Sequence, residues 1–145
     1  MTFELFMAAR LPSLLRYAVV LTGDRELAQE IVQDVLGRAQ ARWRRVVRSN
    51  DPETYVRRAI LGEYLSWRRR RAARRIRGDA AGSLGDRLAA LGRRQRAVLV
   101  LRYWEDLDDD HIADWMGWPV AKVRDQASKA LRTLGFEPRV SAHRN

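Results

Sequence analysis

Asp108-Asp109-Asp110-His111-Ile112-Ala113-Asp114-Trp115-Met116-Gly117-Trp118-Pro119-Val120-Ala121-Lys122-Val123-Arg124-Asp125-Gln126-Ala127-Ser128-Lys129-Ala130-Leu131 is the stretch whose reading decides the fold. Ile112, Ala113 and Met116 recur at helical spacing and give a short helix one apolar face. Gly117 supplies a turn. Val120, Val123, Ala127, Ala130 and Leu131 then give a second helix its buried stripe, so the pattern is that of a helix-turn-helix. Its outward face carries Lys122, Arg124, Gln126 and Lys129, side chains with the donor geometry to read base edges or grip phosphates from the major groove. A plain helical hairpin with a solvated basic face has the same pattern, so these residues by themselves leave both readings open.

The rest of the chain favours a polyanionic partner. It has 28 basic residues against 18 acidic ones, a formal charge of +10, and 46% apolar residues to supply a core. Residues 1–77 hold 17 arginines and 8 acids, so most of the excess lies in the first half. With no cysteine there is no disulfide framework, thiolate metal site or thiol nucleophile, which fits a reducing compartment. The opening residues lack a basic stretch ahead of an apolar one, and Arg10 and Arg16 break the apolar run well short of a membrane span. The expectation is a soluble, cytoplasmic protein without membrane attachment.

Apolar residues three or four apart run through almost every long segment, which predicts an all-α protein. Phe3, Phe6, Met7, Leu14, Leu15, Ala18 and Val19 form the stripe of a first helix, bent at Pro12 and ended by Thr22-Gly23-Asp24. A second helix from Arg25, capped by Asp24, presents Leu27, Ile31, Val35 and Ala39 and runs on through the basic Arg42-Trp43-Arg44-Arg45-Val46. Asp51-Pro52-Glu53 restarts the chain as a third helix, which carries Tyr55, Val56, Ala59, Ile60, Leu65 and Trp67 into Arg68, Arg69, Arg70 and Arg71. Gly78, Gly82 and Gly85 with intervening small residues read as a linker. The predicted organisation is two small helical domains: a three-helix bundle over 1–77, a linker over 78–86, a helix-turn-helix domain of about four helices over 87–135 and a frayed tail over 136–145. Trp104, Trp115 and Trp118 read equally as core or as interface.

Arg94-Gln95-Arg96-Ala97-Val98-Leu99-Val100-Leu101-Arg102-Tyr103-Trp104-Glu105-Asp106-Leu107, leading into the helix-turn-helix, resembles region 4 of the extracytoplasmic-function sigma factors. Leu27-Ala28-Gln29-Glu30-Ile31-Val32-Gln33-Asp34-Val35-Leu36, and Tyr55-Val56-Arg57-Arg58 through Trp67-Arg68-Arg69-Arg70, resemble region 2 of the same family. The wording, including Leu15-Arg16-Tyr17-Ala18 and Leu21-Thr22-Gly23-Asp24, is most similar to the actinobacterial type. The resemblance implies a transcription initiation factor that directs core RNA polymerase to promoter DNA, with an anti-sigma factor as a further partner. It places Gln29, Glu30, Gln33 and Asp34 on the polymerase-docking helix. Arg48, Asn50, Tyr55, Arg57, Arg58 and Trp67 fall where the family captures an unstacked promoter base, work suited to a basic groove with aromatic platforms. Trp43 and Tyr64 are further stacking candidates. Arg68, Arg69, Arg70 and Arg71 would grip duplex phosphates, and Lys122, Arg124, Gln126 and Lys129 would read the upstream element.

Several positions depart from the family pattern. Gly62 stands where the family usually has Asn, and Pro119 and Asp125 where Ser is common. The linker is short, since the 15 residues from Ala72 to Asp86 reach about 50 Å at full extension. A polymerase-independent DNA binder, or a decoy for an anti-sigma factor or for polymerase, is therefore an open alternative. Enzyme chemistry has little to stand on. Asp106, Asp108 and Asp110 start like a calcium loop, but His111 replaces the needed glycine and Gly117 the bidentate glutamate. His111 and His143 lack partners at metal-ligand spacing, and no glycine-rich phosphate cradle or nucleophile-base set is present. No catalytic residue, metal, cofactor or small-molecule substrate is expected.

Overall fold

A computed structural model describes residues 1–49, 51–66 and 91–136, and these are helical with short connections. Asn50, Trp67, Arg68, Arg69, Arg70, Arg71 and the expected linker lie outside the described residues. The chain divides into two compact units, Met1–Arg77 and Gly78–Asn145.

In the first unit the three long helices are α1 (Phe3–Thr22), α2 (Arg25–Ala41) and α4 (Pro52–Leu65). Each begins at a residue whose side chain takes up a free helix N–H. Thr2 accepts from Leu5, Asp24 from Leu27 and Asp51 from Glu53, with Pro52 in the first turn of α4. Helix α1 runs through Pro12 and stops at Gly23, whose φ of 71° is open to glycine at no steric cost and whose N–H donates to the Val19 carbonyl at 2.8 Å. Phe6, Leu14, Tyr17, Ala18 and Leu21 of α1 are buried with Ile31, Val32 and Val35 of α2 and with Val56, Ile60 and Leu61 of α4. Full burial of one such aliphatic side chain is worth about 1.5–3 kcal/mol, so this stripe fixes how the three helices face each other. Helix α1 is also long and apolar enough to cross a membrane by length and composition, yet its buried face is the core of this bundle.

Two expectations are corrected by these helix ends. Helix α2 does not continue to Val46. The chain breaks at Arg42 (φ −118°, ψ 29°) and starts a separate short helix, α3 (Trp43–Arg48). The cause is tertiary: the Trp43 indole N–H donates to the Met1 carbonyl at 3.0 Å, and its ring packs on Phe3 and Phe6 at centroid distances of 5.4 and 5.3 Å. Helix α4 ends at Leu65, where Ser66 leaves helical geometry at ψ 115°, and does not carry through to the arginine run.

The second unit begins its described part at Leu91. Helix α5 (Arg93–Leu99) passes into a π-helical turn over Val100–Trp104, closed by the Glu105 N–H donating to the Val100 carbonyl at 3.0 Å. Helix α6 (Asp109–Met116) and helix α7 (Val120–Leu134) complete the unit's described helices. Leu91, Leu99, Ala130 and Leu134 form one buried cluster with Leu131 against it, so α7 is seated on α5. Ile112 and Ala113 of α6, with Val123 and Ala127 of α7, are buried as the periodicity requires.

Candidate nucleic-acid interface

Helices α6 and α7 are joined through Gly117, whose φ of 72° only glycine adopts readily, while the Trp118 N–H donates back to the Ala113 carbonyl at 3.0 Å. This turn is what aims α7 across α6. With Val123, Ala127 and Ala130 buried, α7 presents Lys122, Arg124 and Lys129 to solvent and Gln126 at half exposure. Lys122, Gln126 and Lys129 thus share one flank of α7, and Arg124 lies across the buried stripe on the flank that meets Asp109 of α6.

Each of the four has a partner that orients it. The Lys122 ammonium lies 4.4 Å from the centre of the Trp118 ring. Gln126 accepts from the Gln95 amide of α5 at 3.0 Å. Lys129 pairs with Asp125 one turn earlier at 3.3 Å, so the acid that stands among phosphate-facing side chains is neutralised locally. Arg124 donates through Nε to Asp109 Oδ2 at 3.2 Å, and that same oxygen accepts from Arg102 Nη2 at 3.1 Å. Asp109 Oδ1 lies 2.9 Å from Arg102 Nη2 but accepts no directed hydrogen bond, so it is held by charge alone. One carboxylate therefore ties α6 to the π-helical turn and to α7. Sequence reading missed Asp109 and Arg102, because their link depends on the α6–α7 crossing and not on spacing along the chain.

His111 and Asp108 form a smaller feature at the start of α6. The Asp108 carboxylate accepts from the His111 backbone N–H at 2.9 Å and meets His111 Nδ1 at 2.7 Å. That backbone hydrogen bond, then the bond to the ring, hold the Asp108 pKa below the ordinary carboxylate value, and the bond from Asp108 raises that of His111. This is a helix cap. Among the described residues no group of acids and histidines is arranged to hold a metal ion.

In the first unit, Gln29, Glu30, Gln33 and Asp34 are all exposed and lie one turn apart in two rows on α2. Gln29 and Gln33 rim an open groove of about 570 Å³ between α1 and α2, floored by Phe3, Met7, Leu11, Leu15, Val32 and Leu36. Arg48 and Arg58 are exposed and Tyr55 is half-buried.

Arg57 has its side chain engaged within the first unit. Its side chain is only 12% exposed, pairs with Glu53 at 2.9 Å, donates to Ser13 Oγ at 3.3 Å and lies 5.0 Å over the Tyr17 ring. Tyr17 in turn donates to the Arg57 carbonyl at 3.3 Å. Arg57 joins α4 to α1, and its guanidinium is engaged by these partners. Of the further stacking candidates, Tyr64 is 3% exposed, and Trp43 is half-buried against Phe3 and Phe6. Of the three tryptophans whose role the spacing left open, Trp104 is 52% exposed beside the exposed Tyr103, while Trp115 and Trp118 are half-buried.

Two family models match, one in each half of the chain. Residues 81–134 match the sigma-70 region 4 family and residues 7–60 match the sigma2 domain of PhyR. RNA polymerase sigma-E factors are similar over most of the chain: that of Streptomyces coelicolor is 29% identical over 93% of this chain and 85% of its own length, and that of Streptomyces avermitilis 28% identical over 93% and 84%. The chain is an extracytoplasmic-function sigma factor. Its fold is shared with the sigma factor RpoE of Bartonella quintana, solved in complex with the anti-sigma factor NepR, at a TM-score of 0.71 over 98% of both chains and 19% identity. This sigma factor is accordingly a transcription initiation factor and not an enzyme. The PhyR sigma2 match stops at residue 60 and the region 4 match begins at residue 81, so Gly62 and the residues after it lie between the matched segments.

Proposed function

We propose that this sigma factor works in the cytoplasm by docking core RNA polymerase through Gln29, Glu30, Gln33 and Asp34 of α2 and by reading the upstream promoter element as duplex through Lys122, Arg124, Gln126 and Lys129 of α7. In this reading residues 1–77 serve polymerase and the downstream element, residues 78–86 connect, and residues 87–135 serve the upstream element, with 136–145 as a tail. Arg48, Asn50, Tyr55, Arg58 and Trp67 take the melted strand, and Arg68, Arg69, Arg70 and Arg71 take duplex phosphates. The observation that carries the proposal is the α6–Gly117–α7 geometry, which seats the buried stripe of α7 on α5 and α6 and leaves donor-bearing side chains on its outward side, Lys122, Gln126 and Lys129 along one flank and Arg124 on the other. An anti-sigma factor is a further partner, as NepR is for the neighbouring fold.

A second reading, a sigma-derived DNA binder or a decoy for an anti-sigma factor or for polymerase, has one observation in its favour. Gly62 is exposed on α4, and nothing lies within 4 Å of where its Cβ would be, so that face offers no side chain to a displaced base. Pull-down with core RNA polymerase and then run-off transcription on a genomic library separate the two. Initiation activity requires polymerase capture and new transcripts, both lost in Gln33→Ala/Asp34→Ala. Salt-sensitive DNA binding without polymerase capture selects the second reading.

A further inference from the structure

We propose that the arginine face of α3 is a binding site for the phosphate backbone of nucleic acid, one to which the sequence alone assigned no role beyond Arg48. Residues 40–49 contain no acid. Within α3, Val46 is buried and Trp43 is docked on Phe3 and Phe6, and these two anchors fix the rotation of the helix. Arg42, Arg44, Arg45 and Arg48 are left exposed, and with Gln40, Ala41 and Trp43 they line an open concavity of about 630 Å³.

The arrangement has no internal counter-charge. Arg10 and Arg57 pair with Glu53, and Arg38 with Glu63, whereas none of the four guanidinium groups of Arg42, Arg44, Arg45 and Arg48 makes an ion pair or hydrogen bond among the described residues. Arg44 and Arg48 are one turn apart, as are Arg45 and Arg48, and like charges at those spacings disfavour a helix by about 0.2–0.5 kcal/mol per pair. A helix held together by two apolar anchors against its own charge is one whose repulsion a polyanion relieves. Guanidinium forks suit phosphate oxygens, and a cluster of four beside one another matches the closely spaced charges of a phosphate backbone. A concave rim that carries four guanidinium groups favours a strand of nucleic acid over a flat lipid surface.

The inference rests on the DNA-binding reading proposed for this sigma factor, and its test uses the full chain. Binding of a labelled 20-base-pair duplex and of a 20-nucleotide oligothymidine is measured by fluorescence anisotropy from about 50 to 200 mM salt. Three variants are compared with wild type: Arg44→Gln/Arg45→Gln, the charge-matched Arg16→Gln/Arg25→Gln, and the charge-retaining Arg44→Lys/Arg45→Lys. Thermal melting checks that each variant is folded. The expected result is a salt dependence shallower by about 1.8 on duplex, or about 1.4 on the single strand, in Arg44→Gln/Arg45→Gln alone, with the lysine variant close to wild type. The two probes distinguish which form of backbone the site takes. An unchanged slope on both probes, or an equal fall in Arg16→Gln/Arg25→Gln, overturns the proposal and leaves the DNA-binding reading standing. Failure of the wild-type chain to bind either probe overturns both.

Discussion

Gly117 and Gly62 respond in opposite directions to one added methyl group. Neither would meet an atom within 4 Å of a new Cβ, so space does not separate them. Backbone does: Gly117 sits at φ 72°, where an L side chain is disfavoured by about 1–2 kcal/mol, whereas Gly62 is inside α4 with ordinary helical geometry. Gly117→Ala should destabilise the chain by about 1 kcal/mol, and Gly62→Ala should stabilise it by about 0.5–1 kcal/mol. Chemical denaturation of both variants checks the pair, and a stabilised Gly117→Ala would contradict the left-handed turn. Gly62→Asn is also sterically admitted, so if promoter opening is weak in wild type, run-off transcription should rise in that variant. Arg57 teaches the complementary lesson. An arginine beside Arg58 gives no sign along the sequence that Glu53, Ser13 and Tyr17 surround its guanidinium.

At the level of elements, the α6 cap yields a pH prediction. Pairing raises the His111 pKa above its ordinary 6.5, so its contribution is present below that value and is lost as pH rises through the raised pKa. The lowered pKa of Asp108 adds a contribution present above its ordinary 3.8 and lost as pH falls through the lowered value. Both hold together between about pH 4 and 6.5. Titration of the imidazole by NMR should show a raised His111 pKa that falls back in Asp108→Asn, where the cap itself survives because Asn caps as well as Asp. An unmoved His111 titration would show that the side-chain pairing is absent. Asp109 belongs to the same scale because it joins three elements. Asp109→Ala should cost about 1–3 kcal/mol by leaving Arg102 without its carboxylate, and should broaden duplex selectivity by freeing Arg124. Binding-site selection from a random duplex pool, set beside melting, reads the two effects separately. The α2–α3 break was not legible, because residues 38–48 keep helical periodicity and only the contact of Trp43 with the start of α1 interrupts it.

On the scale of the whole molecule, charge is the governing quantity. A net +10 concentrated in the first half predicts nucleic-acid affinity that collapses with salt. If six to ten phosphates are engaged, affinity should fall by about 10³–10⁵ between 50 and 200 mM salt, and a loss much smaller than that would place most of the basic residues off the DNA. The chain divides into two units, each with its own buried core, and the faces proposed for polymerase docking and for upstream reading lie on different units. Gln33→Ala/Asp34→Ala, on the exposed face of α2, should thus abolish polymerase capture while leaving binding of α7 to duplex unchanged.

Periodicity, caps and turn residues were enough for the helical class, the N-caps at Asp24 and Asp51, the stop at Gly23, the helix-turn-helix about Gly117 and the exposed faces of α2 and α7. These are local effects: a helix buries whatever recurs every three to four residues, and a cap needs only its own first turn. Tertiary structure decided what depended on residues far apart in the chain. Met1, Phe3 and Phe6 pull Trp43 out of line with α2, Ser13 and Tyr17 withdraw Arg57 from the surface, and α6 brings Asp109 to Arg102 and Arg124. In each case a polar or aromatic group satisfies its bonding potential with a partner that only packing brings within reach, which is why charge and spacing along the chain did not disclose it.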